Sequence, residues 1–156
     1  MSDDVLADYP KTVVLTDGAH VVLRPLGAAE GAALRVLLAR AAAERLASTG
    51  DPVILAWDGE RVVAAAALER RVPEVARLSV AIDPDYRGRR LGTWLLLDLV
   101  HLAAGLGVER LESALHPGDA AYLAALERLD FVVDAAHASP SGVVLAKRLH
   151  RAWTDF

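Results

Sequence analysis

The chain has no cysteine, a single methionine and only two phenylalanines in 156 residues. Without cysteine there are no disulfides, no thiolate metal sites and no cysteine nucleophile. Long apolar runs are also missing. The longest candidate, residues 91–107, is interrupted by Asp98 and His101 and falls short of the roughly 18 uncharged apolar residues that suggest a membrane span. The opening Met1-Ser2-Asp3-Asp4 is acidic, unlike the basic start of a secretory signal. These absences predict a cytoplasmic protein with no membrane partner. There is no basic excess either: 17 Lys and Arg stand against 21 Asp and Glu, a net charge of −4. A nucleic-acid binder normally carries a basic face, so no nucleic-acid partner is expected. The five histidines (20, 101, 116, 137 and 150) include no i, i+4 pair, and no metal site is expected.

What remains is an aliphatic chain, 54% hydrophobic with a mean hydropathy of +0.29, too apolar for global disorder. Its length suits one domain spanning 1–156. Asp17-Gly18 and Asp58-Gly59 each separate two β-rich runs, 12–15 from 20–24 and 53–57 from 61–68. Asp-Gly in that setting predicts two-residue hairpins. Leu34, Leu37, Leu38, Ala41 and Leu46 follow helical spacing, predicting a helix from Ala28 to about Ala47. Residues 74–82 alternate, with Ala76, Leu78, Val80 and Ile82 on one face and Arg77 and Ser79 on the other. A long apolar helix follows over roughly 90–105, then a strand over 108–115. Asp119 is placed to cap a short helix running to Leu129, and strands over 131–133 and 143–147 close the chain. This order predicts a mixed α/β architecture, a central and mostly antiparallel sheet with helices on both faces.

The most informative stretch joins the alternating strand to the long helix: Ile82-Asp83-Pro84-Asp85-Tyr86-Arg87-Gly88-Arg89-Arg90-Leu91-Gly92-Thr93. A helix that starts directly after a strand presents free N–H groups and the positive end of its dipole, a ready site for phosphate oxygens. Arg87, Arg89 and Arg90 add positive charge.

With this element order, Pro84-Asp85-Tyr86-Arg87-Gly88-Arg89-Arg90-Leu91-Gly92 resembles motif A of the GNAT N-acetyltransferases. Arg90 stands where that family usually has glycine. Leu129-Asp130-Phe131 resembles the family's Leu-Gly-Phe. The opening Leu15–Leu26, an Asp-Gly turn followed by Arg24-Pro25, is similar to the GNAT domains of bacterial protein lysine acetyltransferases. The resemblance implies acetyl-CoA as acyl donor. Val80, Ala81 and Ile82 would pair with its pantetheine arm, and the backbone of Arg87, Gly88, Arg89, Arg90, Leu91, Gly92 and Thr93 would hold its pyrophosphate. Asp119 stands where the family often has asparagine at the start of the late helix, and is taken as a further cofactor contact.

Amine attack on a thioester needs a proton acceptor. The glutamate of the lysine acetyltransferases falls at Arg77 here, and the nearest upstream carboxylate is Glu74. On a regular strand Glu74 faces opposite to Arg77, and a β-bulge between them would reverse that. The tyrosine with which many members protonate the leaving thiolate falls at Leu126, with Tyr122 one turn earlier. The candidate catalytic residues are therefore Glu74, His116 at a strand end before Pro117-Gly118, and Tyr122, with an oxyanion contact from a strand N–H near Val80. The expected activity is acetyl transfer to a primary amine, on a protein lysine or a small molecule, by direct attack. The alternatives are a catalytically weak acyl-CoA-binding or regulatory module, and a purely structural partner in a larger assembly. Exposed strand edges make a homodimer the expectation.

Overall fold

Eight strands and three helices follow one another in the computed structural model, which describes residues 9–41, 53–115, 120–133 and 143–149. The strands are β1 (Lys11–Val14), β2 (His20–Pro25), β3 (Val53–Asp58), β4 (Arg61–Val72), β5 (Val75–Ile82), β6 (Arg110–Leu115), β7 (Val132–Val133) and β8 (Val143–Arg148). The helices are α1 (Gly31–Arg40), α2 (Leu91–Gly105) and α3 (Ala120–Arg128). The strands form a single sheet in the order β1-β2-β3-β4-β5-β6-β8-β7. Each pairing is antiparallel except that of β5 with β6. A parallel pair needs a crossover, and α2 supplies it. Among the described residues no helix is long and apolar enough to cross a membrane.

Helices cover both faces. On one, Leu91, Leu95, Leu96, Leu99 and Leu102 of α2 and Leu126 of α3 pack on Ala64, Ala66, Ala76, Leu78, Leu111 and Leu145. Each fully buried leucine contributes about 1.5–3 kcal/mol. On the other face Leu37 of α1 packs on Leu55, Trp57, Val62 and Ala65. The run Ala64–Ala67 is wholly buried, as expected for the middle of a sheet covered on both sides.

The elements match the predicted order, with local differences. Val14 pairs with His20, so residues 15–19 form the first loop, longer than a two-residue turn. Its Gly18 takes φ 84°, and Asp17 Oδ1 accepts from the Ala19 N–H at 3.0 Å. Asp58 pairs with Arg61, which moves the second turn by one residue to Gly59-Glu60; Gly59 supplies the positive φ of 63°. Helix α1 starts at Gly31 instead of Ala28, because the Glu30 carboxylate accepts from the Gly27 N–H at 2.7 Å and holds the preceding turn. The part of that predicted helix beyond residue 41 lies outside the described residues. Strand β5 pairs with β4 in unbroken register from Arg70–Ala76 to Ala64–Ile82; the irregularity is on β4, between Arg70 and Val72.

Candidate active site

Strand β5 has two different neighbours along its length. From Val75 to Leu78 it pairs with Arg110 to Ser113 of β6. Beyond the Leu78–Ser113 pair, β5 stays with β4 as far as Ile82, while β6 stays with β8 to Leu115. The sheet therefore forks. From Ser79 to Ile82 the β6-facing edge of β5 presents backbone groups that the β6 ladder does not take up, and an extended amide-bearing ligand could add there as a strand.

That edge runs into the start of α2. Residues Pro84–Tyr86 form a 3-10 turn capped by the Asp83 carboxylate, which accepts from the Asp85 N–H at 2.9 Å. Gly88 takes φ 78° with open space where a Cβ would lie. Arg90, at the N-cap of α2, takes φ 70° and ψ 9°, and no side chain caps the helix. The N–H groups of the cap and first turn, Arg90 to Thr93, have no partner within an α-helix and face the positive end of the dipole. Gly92 serves packing: a Cβ there would come within 3.1 Å of the Ile82 δ-methyl, which would have to give by a few tenths of an ångström for α2 to start against the end of β5. These features fit a pyrophosphate on the helix start and an amide-bearing arm on the β5 edge.

The turn is held by ion pairs. Asp83 is fully buried. It accepts from Arg40 Nε at 2.6 Å and Nη2 at 3.2 Å, and from Arg61 Nη2 at 2.6 Å. Its own N–H donates to the Val63 carbonyl at 2.9 Å. That carbonyl sits at a bulge, where both Val63 and Ala64 face the α2 core. The Arg40 hydrogen bond, with Asp85 N–H and Arg61, holds the Asp83 carboxyl well below the usual carboxylate range. Tyr86 donates to Asp58, and that bond followed by burial raises the phenol above its usual value. Arg89 stacks 4.7 Å from the Tyr86 ring centroid and pairs with Asp17 at 2.8 Å. Of the three arginines of the turn, Arg89 is thus engaged in holding the loop, Arg87 donates to the Ala41 carbonyl at 3.5 Å, and Arg90 is exposed. The sequence suggested a basic turn but not these partners, because Arg40 and Arg61 lie 43 and 22 residues from Asp83.

The fork has a distinct chemistry on each face. On the α2/α3 face Ser113 is buried, and its Oγ lies 2.9 Å from the Tyr122 hydroxyl on α3. Tyr122 therefore reaches the last β5–β6 pair, whereas Leu126 is buried in the core. On the α1 face, by strand alternation, lie Arg77 and Glu112. Arg77 Nη2 is 3.8 Å from Glu112 Oε1, while Glu112 Oε2 accepts from Arg110 Nε at 3.1 Å. Glu112 is a carboxylate at the fork that sequence reading passed over; its place beside Arg77 depends on the β5–β6 register.

Of the predicted catalytic residues, the structure brings Tyr122 to the fork and not Glu74. Glu74 is exposed in the β4–β5 turn, about 13 Å along the strand from Leu78 at 3.3 Å per residue. Its carbonyl accepts from the N–H groups of Glu109 at 2.7 Å and Arg110 at 3.0 Å. It lines a cavity of about 270 Å³ with Glu109, Arg110 and Arg148, at the end of β5 away from α2. His116 and Asp119 lie outside the described residues. The predicted cofactor residues Val80, Ala81 and Ile82 lie on the free edge, and Arg87, Gly88, Arg89, Arg90, Leu91, Gly92 and Thr93 form the turn and first turn of α2.

Comparison with known proteins agrees with this geometry. The model of the acetyltransferase (GNAT) family matches residues 28–131. No curated protein sequence matches the chain. Among solved structures, the GNAT domain of S. lividans PAT is similar at a TM-score of 0.77 and 16% identity, covering 89% of this chain and 96% of that one. YncA of Salmonella typhimurium, solved with its cofactor acetyl-CoA, is similar at a TM-score of 0.68 and 17% identity, covering 85% and 96%. The ribosomal-protein-S18-alanine N-acetyltransferase of Escherichia coli is similar at a TM-score of 0.69 and 22% identity, covering 87% and 98%. These likenesses concern the fold. With a family match over two-thirds of its length and a sheet that forks beside an uncapped helix start, the chain belongs to the GNAT acetyltransferase family.

Proposed function

We propose that this protein transfers the acetyl group of acetyl-CoA to a primary amine. The observation that carries the reading is the fork: a β5 edge from Ser79 to Ile82, left by β6 after the Leu78–Ser113 pair, that leads straight into the uncapped start of α2. The relative solved with acetyl-CoA supports the choice of ligand.

The pantetheine arm lies along Val80–Ile82, its pyrophosphate on the N–H groups of Arg90–Thr93, and the thioester supplies the activated acyl group at the fork. A β5 N–H near Val80 orients the acyl oxygen. Glu112, the carboxylate beside the fork, takes the amine proton through water, a role for which Glu74 stands too far along the strand. Tyr122, with Ser113, gives a proton to the departing sulfur. With no cysteine in the chain, the amine attacks directly.

Calorimetric titration with acetyl-CoA and CoA, followed by thiol release across an amine panel, tests the proposal. Saturable binding with amine-dependent thiol release is expected; absence of binding at millimolar ligand refutes it. A second reading, an acyl-CoA-binding module without turnover, is favoured by one feature: Arg77 occupies the position where the lysine acetyltransferases it resembles carry glutamate. Binding with no thiol release for any amine would select that reading.

A further inference from the structure

Arg77 differs from the other arginines tied down around β5. Arg40 and Arg61 donate to Asp83 within 2.6 Å, and Arg89 is paired and stacked. Among the described residues Arg77 makes one loose ion pair, 3.8 Å to Glu112, beyond hydrogen-bond distance. Its Nε is buried and has no hydrogen-bond partner among the described residues. Its side chain nevertheless keeps about a third of its surface exposed, at 32%. Guanidinium donors left unpaired in a half-buried setting are costly, and their planar fork matches a carboxylate bidentately.

The surroundings carry the opposite charge as well. Glu112 lies beside Arg77 on β6, and Glu69 stands opposite it in register on β4. Arg77 is one residue before the last β5–β6 pair. A small molecule holding its carboxylate on Arg77 and its amine toward Glu112 would have that amine at the fork. A polyamine, or the cationic end of a lysine side chain, brings no carboxylate for the Arg77 guanidinium to hold.

We infer that the acceptor is a small amine that also bears a carboxylate, an amino-acid-like zwitterion whose carboxylate is bound by Arg77. The inference rests on the acetyl-transfer reading above and adds the substrate class to it. Here Arg77 binds substrate; the ammonium first gives one proton to solvent to become the neutral nucleophile, and Glu112 takes the second as the new N–C bond forms and the C–S bond breaks. The sulfur leaves as the thiol, protonated from Tyr122.

The test is thiol release from acetyl-CoA with free amino acids, the carboxamide of each, spermidine and a lysine-bearing peptide, using wild type and the variants Arg77→Gln, Arg77→Lys and Arg77→Glu. Calorimetry with acetyl-CoA and circular dichroism are run alongside. Wild type should favour acids over their amides by about 10- to 100-fold in kcat/KM, the range of a charged hydrogen-bonded contact. Arg77→Gln should abolish that preference with acetyl-CoA affinity unchanged. Arg77→Lys should retain part of it, and Arg77→Glu should invert it toward amides and spermidine. Equal use of acids and amides, preference for spermidine or the peptide, no turnover of any acid, or a preference that survives in folded Arg77→Gln overturns the inference. If acetyl-CoA binds normally in those cases, only the acceptor class falls; if wild type does not bind it, the acetyl-transfer reading falls as well.

Discussion

Two charged clusters sit along β5, one at its end and one at the fork, and they are satisfied to different degrees. At the end, the Asp83 carboxylate is buried and takes hydrogen bonds from two arginines and a backbone N–H. At the fork, Glu112 is shared between Arg110 and a distant Arg77, whose Nε has no partner among the described residues. A saturated buried cluster positions backbone, and here it fixes the turn leading into α2. The unsaturated one is only loosely joined, with Arg77 and Glu112 3.8 Å apart. The same residue types therefore fix structure in one place and, in the acceptor proposal above, serve recognition in the other.

Substitutions at four positions in these two regions and one beside them, Arg89, sharpen the distinction. The largest effect is expected at the fork, on chemistry and not on folding. Tyr122→Phe should lower kcat with the best acceptor about 100-fold, the lower range for loss of a general acid. Acetyl-CoA affinity and melting temperature should barely move; an unchanged kcat would remove Tyr122 from the mechanism.

At the end of β5 the expected loss is in stability. Asp83→Asn leaves two guanidiniums poorly paired and should cost about 2 kcal/mol in urea denaturation, less than a deeply buried pair because both arginines are partly exposed. The pH dependence follows from the lowered Asp83 pKa. Its contribution is fully present above the unfolded carboxyl value of about 3.9 and is lost as pH falls below it. Wild type should therefore lose stability more steeply than Asp83→Asn on acidification below about pH 4, and parallel curves would show that the ion pairs contribute little.

Gly92→Val places a branched side chain against Ile82, where even a Cβ would come within 3.1 Å. Overpacking of this kind costs about 1–3 kcal/mol. It should weaken CoA binding more than Arg89→Ala or Arg90→Ala does, provided all three remain folded by circular dichroism. The reverse ranking would mean that side chains, not backbone, hold the phosphates. The smallest effect is expected from Arg90→Gly. A left-handed backbone costs a non-glycine residue roughly 1–2 kcal/mol, and part of this is offset by the greater entropy that glycine loses on folding. The variant should melt slightly higher than wild type; a lower melting temperature would mean that the arginine side chain stabilises the turn.

The sequence made the order of the elements legible because each carries a local signal: alternation in β5, helical spacing in α1 and α2, and Asp-Gly near both hairpin turns. The strand–helix junction and its glycines were visible for the same reason. The fork was not, since it depends on where β6 stops pairing with β5, a register between segments separated by the whole of α2. The part Asp83 plays was not legible either, because both arginines that bind it come from distant elements. Arg90 was visible as a departure from glycine, but not its φ of 70°: a helical first turn would also have admitted arginine. Glu74 was selected by nearness in sequence to Arg77, whereas Glu112 is near in space.

The central claim, that the free β5 edge and the start of α2 form one binding surface for the acyl donor, is tested most directly by amide hydrogen exchange with and without saturating acetyl-CoA. The account predicts protection concentrated in residues 79–82 and 88–93, with the β4–β5 turn at Glu74 and the segment 109–110 unchanged. Protection centred on Glu74, Glu109 and Arg110, with none on the edge or at the helix start, would contradict it.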